Sequence, residues 1–257
     1  MLKRTLVFAY GLACYAIFFA TFLYALGFVG NFVVPVTMDG VPRVGTGLAL
    51  AIDVGLLGLF AVQHSLMARP FFKRWLTRLI PESAERSTYV LFSSLALIAL
   101  FLFWQPLGGV VWEVGDPVWQ AVLYALFAFG WLLVLVSTFL INHFDLFGLR
   151  QVWLQLLDRP YRALKFGTPG PYKLVRHPLY LGWLFAFWAT PTMTYAHLLF
   201  ALMTAGYILV AIQFEERDLV HFHGRAYEEY RRRVPMLLPF KRARREEVRG
   251  ELSRAEG

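Results

Sequence analysis

The stretch LYLGWLFAFWATPTMTYAHLLFALMTAGYILVAIQF, Leu179 to Phe214, is 36 residues of almost unbroken apolar sequence. As one straight helix it would reach about 54 Å, well beyond the ~30 Å of a bilayer's hydrocarbon core. Thr190-Pro191-Thr192-Met193-Thr194 interrupts it, because proline has no backbone donor and disfavours helix in the residue before it. The spacing predicts a helical hairpin with a short first arm, Leu179 to Ala189, and a full second arm, Tyr195 to Phe214. A hairpin returns Glu215-Glu216-Arg217-Asp218 to the face on which Arg176-His177 lies, so two polar clusters distant in sequence share one cleft.

The rest of the chain agrees with a membrane setting. Of 257 residues, 58% are hydrophobic and only 16% charged, too apolar for a soluble domain of this length. Four more runs are long enough to cross a bilayer: Thr5 to Val29, Gly47 to Met67, Thr88 to Gln105 and Val118 to Ile141. The expected fold is an all-α integral membrane protein: four transmembrane helices, then a transmembrane helical hairpin and a cytoplasmic C-terminal helix. Residues 1–145 would hold helices one to four, 146–240 the hairpin and the ligand-binding region, and 241–257 a charged flexible tail. The apolar run after Met1-Leu2-Lys3-Arg4 is too long for a signal peptide's core and has no clear cleavage site, so it reads as a retained first helix. Cys14 is the single cysteine, which rules out an intrachain disulfide and reads as a buried core thiol.

Of the 25 basic residues, 24 lie before the first run, between the second and third, between the fourth run and the hairpin, or after Phe214; Arg43 stands alone on the other side. The positive-inside rule then makes both termini and the basic loops cytoplasmic, which for a bacterial protein means the inner membrane. The net charge of +8 suits anionic lipid headgroups rather than nucleic acid, because the basic residues flank spans and form no separate domain.

Pro178 fits the first helical position, making His177 the N-cap and leaving free N–H groups and a partial positive charge at that helix end. Arg176, Lys173 and His177, facing Glu215 and Glu216 among Tyr172, Tyr180 and Trp183, suit a zwitterionic ligand with rings and hydroxyls. S-adenosylmethionine is such a ligand. The same charges also fit ordinary interfacial anchors, and the chemistry alone does not choose.

The segment Gly170-Pro171-Tyr172-Lys173-Leu174-Val175-Arg176-His177-Pro178-Leu179-Tyr180-Leu181-Gly182, then Glu215-Glu216, then Phe222 to Arg231 with Val234-Pro235, resembles the cofactor domain of the isoprenylcysteine carboxyl methyltransferase superfamily. That resemblance implies an S-adenosylmethionine-dependent membrane methyltransferase whose cofactor pocket is lined by Tyr172, Arg176, His177, Tyr180, Glu215 and Glu216. Gln63-His64-Ser65, Pro81 to Leu91, and Asn142 to Trp153 are similar to the methanethiol S-methyltransferase family of bacterial membrane enzymes, and extend the likeness over nearly the whole chain. It implies a small thiol as acceptor and dimethyl sulfide as product. A related group linked to nitrogen-oxide respiration shares parts of these N-terminal patterns.

A thiolate attacking a sulfonium methyl is helped by a water-poor site and by a base for the thiol proton. His64 and His143 sit near the cytoplasmic ends of helices two and four, with Asp145 placed to orient an imidazole or accept the proton itself. Asp53, about 16 Å from His64 along a helix, is expected to face the outer side. His197, His221 and His223 have no metal-ligand spacing with a third residue, so no metal is expected. Tyr227 to Arg233 reads as a basic helix lying on the inner leaflet. Two alternatives stay open at this point: a lipid amine or isoprenylcysteine-type carboxylate as acceptor, or a non-enzymatic membrane protein of nitrogen-oxide respiration.

Overall fold

The computed structural model describes residues 1–240, so the expected charged tail 241–257 lies outside the described residues. The chain is mostly helical and multi-pass. Among the described residues, five helices are long and apolar enough to cross a membrane: α1 (Leu2–Gly30), α2 (Thr46–Met67), α4 (Glu85–Phe103, extended by the turn from Glu82), α5 (Pro117–Leu140) and α9 (Tyr195–His223). Short helices α3 (Pro70–Leu76), α6 (His143–Leu146), α7 (Leu149–Leu156) and α10 (Arg225–Arg233) lie between and after them. The arm expected from Leu179 to Ala189 is α8 (Pro178–Trp188), 11 residues long and about 16 Å in reach, too short to span alone.

Two departures from the sequence reading have physical causes. First, the break at Pro191 is built with strand: β1 (Val110–Glu113) pairs antiparallel with β2 (Thr192–Thr194), so the fold is not helical throughout. Backbone groups released from a helix need partners, and Pro191 O accepts from Val114 N at 2.9 Å beside this pair. Second, α9 continues nine residues past Phe214 to His223. The charged residues after Phe214 end the apolar span, but Glu and Arg are good helix formers and do not end the helix. Gly224, at φ 52°, does.

Helix α8 packs along α5 through glycines. A Cβ on Gly130 would stand 2.5 Å from Ala186 N, and one on Gly182 2.8 Å from Gly130 O, so the two backbones meet with no room for any side chain. The hairpin arms are tied at both ends by histidines, and Ile208 and Ile212 of α9 pack against Tyr180, Leu181 and Leu184 of α8 between them. His197 Nε2 lies 2.9 Å from Phe187 O, and His177 Nε2 lies 3.0 Å from Glu216 Oε1. Between those contacts α9 runs about 28 Å while α8 runs about 15 Å. The longer arm reaches past the shorter one, and the space these two helices enclose with α1, α2, α4 and α5 is the cavity described next.

At the strand-pair end the bundle is closed. Trp104, Phe28 and Met38 are fully buried there, and Trp104 Nε1 donates to Met38 O at 3.0 Å. Asp53 is also buried at this end, away from Arg176, accepting from Gln105 N at 2.9 Å.

Candidate active site

A cavity of about 1590 Å³ opens at the end of the bundle that holds Arg176 and runs inward among α1, α2, α4, α5, α8 and α9. Of the residues singled out in the sequence, His64, His143, Tyr172, Arg176, His177, Tyr180 and Glu215 line it. Glu216 stands behind its wall, and the structure does not bring Asp145 to it.

At the mouth, His177 caps α8 as expected, with Pro178 in the first turn. Its Nε2 lies 3.0 Å from Glu216 Oε1 and its Nδ1 3.8 Å from Glu215 Oε2. Arg176 Nε donates to the same Glu216 oxygen at 2.7 Å, and its Nη1 donates to Arg231 O at 3.0 Å and Val234 O at 2.7 Å. The backbone N–H groups of Arg176 and His177 donate to Pro235 O and Met236 O. Arg176 is therefore a clamp that ties the start of α8 to α9 and to the chain after α10, leaving only part of its guanidinium to face a ligand. Glu216, with a side chain 10% exposed, is the anion in this clamp, whereas the neighbouring Glu215, 44% exposed, turns its carboxylate toward the cavity. Successive helical residues point about 100° apart, which is why adjacent glutamates differ so much.

Tyr172 and Tyr230 form the outer lip, where Tyr230 Oη donates to Tyr172 O at 2.5 Å. Burial raises the pKa of both phenols, Tyr230 to about 12, so both remain neutral hydroxyl donors.

Further in, His64 belongs to a group the sequence reading only half identified. Its Nδ1 lies 3.1 Å from Ser93 Oγ; the Tyr89 hydroxyl lies 2.7 Å from its Nε2 and 3.1 Å from its Nδ1, and Phe60 stacks on the ring. Ser93 spends its one proton on Tyr89 O, at 3.0 Å, so its oxygen can only accept from the imidazole. The hydrogen-bond accounting places the proton on Nδ1. Nε2 then carries the lone pair and accepts from Tyr89. Tyr89 and Ser93 line the cavity, as does Arg86, whose guanidinium sits 4.9 Å over the Tyr89 ring while its Nε donates to Leu146 O. Hydroxyl residues four apart inside an apolar helix were the available signal for Tyr89 and Ser93.

His143 repeats the pattern. Thr138 Oγ1 donates to Leu135 O at 2.7 Å and so accepts from His143 Nδ1 at 2.8 Å, leaving Nε2 to accept from Tyr15 Oη at 2.8 Å. Its ring stacks on Phe139 at 4.2 Å and is 2% exposed, and burial lowers its pKa. Tyr15 is not among the cavity's lining residues. Asp145 is occupied elsewhere: its carboxylate accepts from Arg150 Nη1 at 2.7 Å and Tyr161 Oη at 3.3 Å.

Comparison with known proteins completes the picture. A protein of Crocosphaera subtropica named methanethiol S-methyltransferase is 59% identical over 239 residues, which cover 93% of this chain and 94% of that one. One of the same name from Mycobacterium tuberculosis is 53% identical over 239 residues, covering 93% and 98%. This chain belongs to the methanethiol S-methyltransferase family. More distantly, the family member is 33% identical over 179 residues to nurim of Sus scrofa, covering 66% of this chain and 68% of nurim, within the same isoprenylcysteine carboxyl methyltransferase-like superfamily. No family model and no solved structure matches the chain. Since the likeness to the named methyltransferases runs through nearly the whole chain, the His64 half and the Arg176 half of the cavity come under the same family name.

Proposed function

We propose that this chain is a membrane methyltransferase that moves a methyl group from S-adenosylmethionine to methanethiol, giving dimethyl sulfide and S-adenosylhomocysteine. The observation that carries this is one cavity shared by a zwitterion-matched mouth and a histidine whose Nε2 lone pair is reached through the cavity-lining Tyr89 hydroxyl, in a chain whose relatives bear the name methanethiol S-methyltransferase over almost their full length.

The residues present fit the methyl donor. Glu215, half-exposed at the mouth, offers a carboxylate for an ammonium or ribose hydroxyls, and Tyr172 a neutral hydroxyl. Tyr227 Oη, buried and without a hydrogen-bond partner among the described residues, lines the same mouth. An unpaired buried hydroxyl is costly unless a ligand satisfies it. Tyr172, Arg176, His177, Tyr180, Glu215 and Tyr227 would hold the donor, with Glu216 fixing Arg176 and His177. When bound, the donor supplies a sulfonium methyl, an electrophile that needs no metal or acid.

The protein's own contribution is to the thiol. A small thiol is mostly protonated at neutral pH, given that even cysteine has a pKa near 8.5. The Tyr89 oxygen, facing the cavity, can take the thiol proton while its own passes to His64 Nε2, and Ser93 steadies the Nδ1–H as the ring becomes cationic. The Arg86 charge beside Tyr89 favours the thiolate that results. Phe60 stacks on the His64 ring at this point, so attack that neutralises opposite charges goes forward in a weakly solvating site.

In a bacterial inner membrane with the basic loops cytoplasmic, the mouth faces the compartment where the donor is made. Purified protein in lipid nanodiscs, given S-adenosylmethionine and methanethiol, is expected to release dimethyl sulfide and S-adenosylhomocysteine in equal amounts. Donor binding with no methanethiol turnover would overturn the acceptor, and no donor binding would overturn the activity.

A further inference from the structure

The cavity is far larger than its proposed occupants need. At about 1590 Å³ it exceeds the roughly 300–1,000 Å³ of an ordinary small-molecule site, yet methanethiol has two heavy atoms. The surplus lies on the far side of His64 from the mouth. Leu57 and Phe101 both line the cavity; Leu57 is about 10 Å beyond His64 along α2, and Phe101 about 18 Å beyond Tyr89 along α4. Leu100, Trp131, Phe187 and Phe200 close the lobe.

This lobe is dry by construction. The hydroxyls of Thr21, Ser94 and Thr204, which line the cavity, are spent on carbonyls of their own helices, Ile17 O at 2.7 Å, Val90 O at 2.9 Å and Phe200 O at 2.6 Å. Trp131 Nε1 is the exception, a donor without a partner among the described residues. A space so lined suits hydrocarbon and does not hold ordered water.

In-line transfer is linear only at the methyl carbon, with the leaving sulfur toward Glu215 and His177 and the attacking sulfur at Tyr89 and His64. The group attached to the attacking sulfur bends off to the side of that line, where an apolar chain finds the deep lobe beyond His64 lined by Leu57, Leu100 and Phe101. We infer that the protein also methylates primary alkanethiols of medium chain length, sulfur at Tyr89 and alkyl tail in the lobe lined by Leu57, Leu100, Phe101 and Phe200; this rests on the thiol-methyltransferase reading above. The step balances: the thiol S–H bond breaks and its proton goes through Tyr89 to His64. The sulfur's electron pair forms the new S–CH3 bond, and the donor's C–S bond breaks with its pair returning to the leaving sulfur.

The test is turnover of methanethiol, 1-butanethiol and 1-hexanethiol by the full protein in nanodiscs, with thermal unfolding measured in dimethyl sulfide and in hexyl methyl sulfide. Burying each methylene at about 0.8 kcal/mol predicts a KM that falls about fourfold per carbon until the lobe is full. Hexyl methyl sulfide is expected to raise Tm more than dimethyl sulfide does, and Leu57→Trp to abolish both trends. If that variant does not fold, the wild-type series decides alone. Methanethiol turned over with hexanethiol refused, and no difference between the sulfides in Tm, would overturn the inference while leaving the parent activity intact. Refusal of every thiol would overturn the parent reading itself.

Discussion

His64 and His143 are built alike and placed differently. Each imidazole gives its Nδ1–H to a hydroxyl whose own proton is committed to a helix carbonyl, and each accepts at Nε2 from a tyrosine. For His64 that tyrosine, Tyr89, lines the cavity; for His143 it is Tyr15, outside the lining, with Phe139 stacked on the ring. On the mechanism proposed above, such a three-residue hydrogen-bond chain passes a proton where its outer hydroxyl lines the cavity, as Tyr89 does, and braces helices where it does not, as with Tyr15.

The largest expected effect breaks this comparison at its active member. His64→Ala lowers kcat about 10²–10⁴-fold at neutral pH, the usual contribution of a positioned base, measured as dimethyl sulfide release. His143→Ala is expected to leave kcat within about threefold while lowering stability by about 1–3 kcal/mol, because it orphans the Tyr15 and Thr138 hydroxyls. Equal loss of turnover in the two variants would contradict the distinction.

Glu216→Gln comes next. It removes the anion shared by Arg176 and His177, so donor KM should rise about tenfold with a smaller change in kcat, as lost charge-assisted hydrogen bonds at a binding group would give. The corresponding loss of Glu215 acts by direct contact and should raise donor KM without the fall in Tm that accompanies loss of the clamp.

The smallest effect concerns pH. His143 has its pKa lowered by burial, so the unfolded chain binds that proton more readily. Its share of stability is whole above the ordinary value of 6.5 and is lost as pH falls from there toward the folded value. The wild type should therefore lose more Tm between pH 6.5 and 5 than His143→Gln does, in steady-state unfolding across that window.

The architecture was largely legible because hydropathy and basic residues act over whole segments. The four runs and the hairpin break fall within a few residues of α1, α2, α4, α5, α8 and the start of α9. The end of α9 was not legible, since leaving the bilayer and leaving the helix are separate events and Glu215 to Asp218 cause only the first. The candidate site was legible only one helix at a time. His64 stood out on α2, but Tyr89 and Ser93, which set its tautomer, come from α4, and one chain's sequence carries no register between helices. Glu215 and Glu216 looked equivalent because a dipeptide does not say which side chain faces a cavity. Asp145 looked available because its partner Arg150 is a neighbour whose direction only the fold supplies.

The most direct measurement is methanethiol turnover by wild type and His64→Ala across pH 6 to 10, with donor saturating. Solvent ionises the thiol at high pH and makes an internal base unnecessary. The account predicts that the His64→Ala defect, about hundredfold or more at pH 7, shrinks toward unity as the pH passes the thiol's own pKa. A defect that stays constant across that range would contradict it.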